Sequence, residues 1–278
     1  MNNIFKTFIL MTILTVVFVF VGGIIGGRQG AVIAFIAAAG MNFYSYWFSG
    51  KNVLKRYKAK EVTNDDESRL FGIVKRLAEH ANLPMPKVYV VNNNTPNAFA
   101  TGRNPNHAAV AATTGILSLL NDDELSGVIG HELAHVKHRD MLTGTIAATF
   151  ASAITMLGQF SGFGIGRNRR TNPLLSLLLI IEAPLAAMII RMAISRTREF
   201  AADSGGAEIS QKPLSLASAL NKLQYGVQKH PMQNGRDSDS HLFIINPFFG
   251  GFQKLFSTHP STEERIKRLE DIAAMHQY

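Results

Sequence analysis

The sequence contains no cysteine. It can therefore form no disulfide and offers a metal no thiolate, so any transition-metal site must be built from His, Asp and Glu. An internal repeat, a low-complexity tract and a recognisable RNA- or DNA-binding motif are also missing, although the net charge is +8 and the pI about 9.8. The basic residues gather at the ends of apolar runs, with Lys51, Lys55, Arg56, Lys58 and Lys60 after one and Arg196 and Arg198 after another. Such clusters set topology and touch anionic lipid, and nucleic acid is set aside as a partner. No A-x-A-like cleavage site follows the first apolar run, and only Lys6 precedes it. The run is also longer than the apolar core of a secretory signal, so it is read as a retained anchor.

Apolar residues are what the chain has in excess. They make up 46% of its 278 residues, for a mean hydropathy of +0.08, and they collect in four blocks near 7–25, 30–49, 141–165 and 173–194. Each block is about 20 residues long, the length a helix needs to cross a hydrocarbon core of about 30 Å. The chain reads as a multi-pass membrane protein with about 170–190 residues outside its spans.

Between the second and third blocks, "TNDDESRLFGIVKRLAEHANL" has helical periodicity, with Asn64 or Asp65 as N-cap and Leu70, Ile73, Val74, Leu77 and Ala81 on one face. "PKVYVV" and "NAFATG" read as strands, and "HAAVAATTGIL" as a third that breaks at Gly115. "NDDELSGVIGHELAHVKHRD" opens with an Asn/Asp cap and first-turn acids, then reads as one helix running into the third block. After the fourth block, "SRTREFAADSGGAEIS" is helical up to its Gly pair, and "PLSLASALNKLQYGVQK" and "PSTEERIKRLEDIAAM" are further helices, the last starting at Pro260 or Ser261. Residues 231–258 read as an irregular loop.

The chemistry is concentrated in "GHELAHVKHRD". His131 and His135 lie four apart on a helix, so both imidazoles project from one face, one turn apart, as a single zinc ion requires. Glu132, beside the first histidine, can take a proton from the attacking water. His138 is displaced one further turn along the axis and cannot readily converge with the other two; it is read as a supporting or interfacial residue. A better third ligand stands in "SRTREFAADSGG", where Glu199 and Asp203 share a helix face. Glu199 could complete a His₂Glu site, and Asp203 could orient a ligand histidine through its second ring N–H. Taken singly, each segment has a plainer reading: a polar juxtamembrane helix, and two solvated acids balanced by Arg196 and Arg198.

Together, "GHELAHVKHRD", "SRTREFAADSGG" and "THPSTEERIKRLE", with two apolar spans before the first and two between the first and second, resemble the HtpX-type membrane metalloproteases, relatives of the CAAX prenyl proteases. The resemblance covers essentially the whole chain. It implies a mainly α integral membrane fold, with four transmembrane helices and a zincin-like α+β catalytic domain carrying a small β-sheet. Along the chain this means two membrane helices in 1–50, the first part of the catalytic domain in 51–140, a membrane hairpin in 141–195 and the second part of the catalytic domain in 196–278. The resemblance also implies one Zn²⁺ per chain on His131, His135 and Glu199, Glu132 as catalytic base and Asp203 as the acid behind the ligands. The expected activity is that of a bacterial plasma-membrane endopeptidase for membrane proteins, in quality control under heat or envelope stress.

Four further residues carry two readings each. Asn97 and Ala98 resemble the edge strand with which related zinc peptidases pair an extended substrate, a β-augmentation; the alternative is a turn into an ordinary strand. His259 could donate to the oxyanion of the tetrahedral intermediate, or simply precede a helix-starting proline; His241 and Tyr225 are weaker candidates for the oxyanion role. Glu182, in mid-span, is read as a packing residue beside Pro184, although an intramembrane carboxylate by default suggests function. Against an intramembrane protease stand the hydrophilic "NDDELSG" and "VKHRD" that flank the H-E-x-x-H. A non-enzymatic scaffold or transporter component is the rival from another class, and metal content separates the two. The basic residues after the second span place the catalytic side in the cytoplasm, with membrane-tethered or membrane-proximal proteins and peptides as substrates, although Arg167, Arg169 and Arg170 oppose that orientation.

Overall fold

The computed structural model describes residues 3–63, 68–149, 196–229, 242–245 and 260–276. Most of the third and fourth apolar blocks, Glu182, His241 and His259 lie outside the described residues, as does the hairpin tip at 166–170.

The first two apolar blocks form α1 (Asn3–Arg56), two helical arms broken at Gly26 and Gly27; Gly27 has φ 57°, a conformation that glycine adopts without strain. Both arms, Phe5–Ile24 and Gly26–Arg56, are long and apolar enough to cross a membrane. Their outer surfaces leave Phe8, Phe20, Ile33 and Ile36 more than half exposed. An apolar surface of that extent belongs against lipid. A helix over 140–149 (α5) leaves the catalytic part at the start of the third block. It meets the first arm through Thr7 and Thr143, whose hydroxyls are 3.0 Å apart.

The water-facing part is built on a four-stranded mixed sheet: β1 (Lys60–Val62), β2 (Lys87–Val91), β3 (Ala98–Gly102) and β4 (Ala108–Thr113), in the order β1-β2-β4-β3. Only β2 and β4 run parallel. One face packs on α2 (Arg69–His80), α4 (Asp122–His138), α6 (Arg196–Ser210), α7 (Pro213–Lys229) and α8 (Thr262–His276), a core that includes Leu77, Val110, Ile129 and Leu220. The other face is covered by the end of α1 and by Leu242 and Phe243 against Phe99. A short α3 (Thr114–Leu119), capped by Thr113, joins β4 to α4.

Several local expectations are corrected. The N-cap of α2 is Ser68, not Asn64 or Asp65, which lie outside the described residues. The third strand ends at Thr113, before Gly115, because the Thr113 hydroxyl accepts from Ile116 N and starts α3 there. β1 was not visible in the sequence; three residues are too few for an alternation to register. The Gly205–Gly206 pair does not end its helix, which runs on to Ser210. Tertiary packing overrides the helix-breaking tendency: a Cβ on Gly206 would lie 2.7 Å from His131 N and 2.8 Å from His131 Cα. Those are backbone atoms that cannot swing aside, so the glycine, with Gly130 and Gly205 at the same seam, lets α4 and α6 touch. Gly206→Ala is expected to destabilise the chain by about 1–3 kcal/mol, the usual range for overpacking. An unchanged denaturation midpoint in this variant would show that the two helices can part freely.

The start of α4 follows its sequence. Asn121 and Glu124 form a capping box, Glu124 N donating to Asn121 Oδ1 at 2.9 Å and Asn121 N to Glu124 Oε2 at 3.0 Å. Ser218 and Lys222 of α7 donate to the same buried carboxylate and fix where the helix begins. The end differs. α4 does not run unbroken into the third block; it stops at His138, and Arg139 adopts the left-handed conformation (φ 59°, ψ 35°) before α5 begins. For a non-glycine residue that costs roughly 1–2 kcal/mol.

Candidate metal centre

The helix period carries both imidazoles of α4 to one face, and the Gly206 contact brings α6 close enough for Glu199 to meet them. Glu199 Oε2 is 3.9 Å from His131 Nε2, and Glu199 Oε1 is 3.8 Å from His135 Nε2. These distances are too long for hydrogen bonds, so the three side chains converge without satisfying one another. One donor atom from each lies within 4.8 Å of the others, and the group could hold a metal ion. Two imidazoles and a carboxylate form the donor set of a catalytic zinc site with one position left for water or substrate.

Both histidines are held from behind in the same way. His131 Nδ1 lies 2.9 Å from Asp203 Oδ1, and His135 Nδ1 lies 3.0 Å from Asp140 Oδ2. A carboxylate only accepts, so each ring donates its Nδ1–H and turns Nε2 to the centre, the atom that a metal would take in place of a proton. Each acid in turn faces an arginine. Arg265 donates to both oxygens of Asp203, at 2.8 and 2.7 Å, and to the Ile244 carbonyl at 2.8 Å. Arg198 approaches Asp140 at 3.6 Å. Burial works against the Asp203 carboxylate, but the charge and hydrogen bonds of Arg265 hold its pKa below the usual value. Burial likewise opposes a charge on His135, yet Asp140, Glu199 and Glu132 bring its pKa up to about 9.

Glu132 sits on the wall of the same cleft, and Ala100 N donates to its Oε2 at 2.8 Å. Burial raises its pKa despite the neighbouring histidines, which moves a carboxylate toward the range in which it can act as a base at neutral pH. The cleft is open to solvent, and Phe99, Ala100, Leu242, Phe243 and Ile244 line it beside the histidines.

His138 is exposed and stands apart from the three converging side chains. Asn97 is buried, and its side chain holds the Leu242–Ile244 strap: Nδ2 donates to the Leu242 carbonyl at 3.2 Å, and Oδ1 accepts from Ile244 N at 3.4 Å. Ala98 begins β3 immediately beyond it. Tyr225 is largely exposed on α7.

Two residues of this arrangement escaped the sequence reading. Asp140 follows His135 by five positions, a spacing that a continuous helix turns away; only the left-handed Arg139 swings it back. Its weak signal was an acid directly after a histidine-rich helix. Arg265 shares a stripe with Leu269 and Ala273, both buried, so a cation on the apolar face of α8 was the available clue. Asp140→Ala is expected to weaken metal binding about 10–100-fold, the usual cost of removing a ligand's hydrogen-bond partner. A metal-competition titration that returns the wild-type affinity would sink that role.

Comparison with known proteins agrees with this geometry. The model of peptidase family M48 matches residues 64–273. A "Protease HtpX homolog" of Campylobacter hominis is 52% identical over 274 residues, covering 96% of this chain and 97% of that protein. Another, of Methylibium petroleiphilum, is 54% identical over 275 residues, covering 97% of each. Among solved structures, Ste24p of S. mikatae shares the fold with a TM-score of 0.52 at 18% identity, over 84% of this chain and 57% of that one. On the family match and this identity over nearly its whole length, the chain belongs to peptidase family M48, as an HtpX-type metalloprotease.

Proposed function

We propose that the chain is a zinc-dependent endopeptidase of a bacterial plasma membrane, with four membrane spans and a zincin-like catalytic part facing the cytoplasm. In this reading 1–50 and 141–195 supply the spans, and 51–140 and 196–278 the catalytic part. It cuts membrane or membrane-proximal proteins, in quality control under heat or envelope stress. The observation that carries the catalytic assignment is the convergence of His131, His135 and Glu199, each histidine backed by a carboxylate. That donor set fits zinc, which when bound would supply a Lewis acid to polarise the scissile carbonyl and acidify water.

The chain's own residues supply the rest. Asp203 and Asp140 hold the ligand rings in the tautomer that leaves Nε2 available. Glu132 takes the proton of the attacking water and passes it to the leaving amine. The edge of β3 at Asn97 and Ala98 receives the substrate backbone as an added strand. Asn97 contributes through its position, since its side chain anchors the strap. His259 donates to the developing oxyanion.

Metal analysis of the purified full chain tests the assignment. About one zinc per chain is expected from a three-ligand site of this type, with loss in each of His131→Ala, His135→Ala and Glu199→Ala. Full zinc in any of the three would remove that residue from the ligand set. Absence of zinc from the wild-type chain, together with proteolysis insensitive to chelators, would overturn the metal assignment altogether.

A further inference from the structure

We propose that the cleft acts as a juxtamembrane ruler, cutting an extended substrate about three residues from the point where its own membrane segment leaves the lipid, from the rise of about 3.3 Å per strand residue. The proposal rests on the endopeptidase reading above and adds where, along a membrane protein, the cut falls.

β3 is an edge strand. Thr113 N donates to Asn97 O, so residues 97, 99 and 101 face β4, and Ala98, Ala100 and Gly102 turn their backbone groups away from it; the strand is buried, and Ala100 lines the cleft. The bond from Ala100 N to Glu132 marks the level of the reacting peptide on that edge. Upstream, the strand is approached from the water side, where Pro96 abuts Gly226 of α7. Downstream it meets the end of the second arm of α1. A Cβ on Gly50 of α1 would lie 3.2 Å from Gly102 Cα, and the Arg103 guanidinium stacks 4.5 Å from the Trp47 ring.

That stretch of α1 has the character of a headgroup layer. Exposed Phe43, Tyr44 and Trp47 precede it, and Lys51, Lys55 and Arg56 follow. From Ala100 to Gly102 is two residues, about 7 Å of strand. A second, independent mark gives the same level. Asp140, bonded to His135, begins α5; Met141 and Gly144 of that helix line the cleft. Between them, Thr143 touches Thr7, two residues inside the candidate span that starts at Phe5. The cleft floor therefore reaches the depth at which both arms of α1 enter the lipid.

A chain added to the β3 edge is back at headgroup depth after two or three extended residues. An anchor at that spacing raises the effective concentration of the bond beside Glu132. A shorter tether cannot reach it, and a longer one dilutes it.

The test uses the full chain in vesicles of phosphatidylcholine and phosphatidylglycerol. The substrates are single-span peptides whose site-facing tails repeat one cleavable unit, and the products are mapped by mass spectrometry. Cuts are expected to cluster about three residues from the anchor, by the strand rise above. They should move outward when the apolar anchor is extended, and the anchorless tail should show a kcat/KM at least about tenfold lower, for loss of effective concentration. Cuts that scatter along the tail, or an anchorless tail cleaved equally well, would overturn the ruler and leave the endopeptidase standing. If neither peptide is cut and Glu132→Gln behaves as wild type, the endopeptidase reading itself fails.

Discussion

Glu132→Gln is expected to lower kcat/KM by about 10²–10⁴-fold, the range for loss of a general base, while the protein keeps its full complement of metal. Glutamine has the same length and volume, and its side-chain oxygen can still accept from Ala100 N, so the wall of the cleft should hold its shape. None of His131, His135 and Glu199 is altered, and the carboxylates behind the histidines are untouched. What disappears is the group assigned to take a proton: a buried carboxylate whose pKa burial has raised. Neither a deeper loss with absent metal nor an activity within tenfold of wild type fits the assigned role. The first would make Glu132 structural, and the second would put the base elsewhere. Peptide hydrolysis and metal content measured on the same sample separate these outcomes.

Arg265→Met should be the most destabilising single change outside the ligands, by about 3–5 kcal/mol, the cost of breaking a buried ion pair on one side. Arg265 is only 2% exposed, yet it donates to both oxygens of Asp203 and to the Ile244 carbonyl. Methionine fills the space but, among the described residues, leaves the Asp203 carboxylate only its bond to His131, and it takes the Arg265 donor from the Ile244 carbonyl. Arg265→Lys should recover only part of the loss, because an ammonium cannot reproduce the planar fork. The pH dependence has a definite sign. In the wild type the Asp203 pKa is depressed, so its contribution is present above the unfolded carboxylate pKa and is lost as pH falls through the lower folded value. Without the arginine, burial dominates and raises that pKa, so protonation relieves the variant. The stability gap between variant and wild type should therefore narrow as pH falls from 7 toward 4, near the ordinary carboxylate pKa. Denaturation midpoints of the full chain in detergent check this. A gap that is constant with pH, or smaller than about 1 kcal/mol, near the value of a surface pair, would mean the pair does not support the site.

The features determined by sequence alone are those set by local geometry. The four-residue spacing of His131 and His135, and likewise of Glu199 and Asp203, places each pair on one helix face whatever the rest of the chain does, because the period belongs to the helix itself. The same holds for the capping box of Asn121 and Glu124, and for the long apolar arms of α1, which no water-soluble fold of this size could cover. Tertiary structure decided what depends on residues far apart or on a local rule overruled. Glu199 reaches the histidines across more than sixty positions of sequence because Gly130, Gly205 and Gly206, which on their own would weaken a helix, leave out Cβ atoms that would hold α4 and α6 apart. Asp140 reaches His135 because Arg139 accepts a left-handed backbone that its side chain disfavours. Arg265, a cation on an apolar stripe, is intelligible only once Asp203 is found buried opposite it. Periodicity records which face of an element is inside; it carries no information about which other element that face will meet, since that is settled by packing the whole core at once.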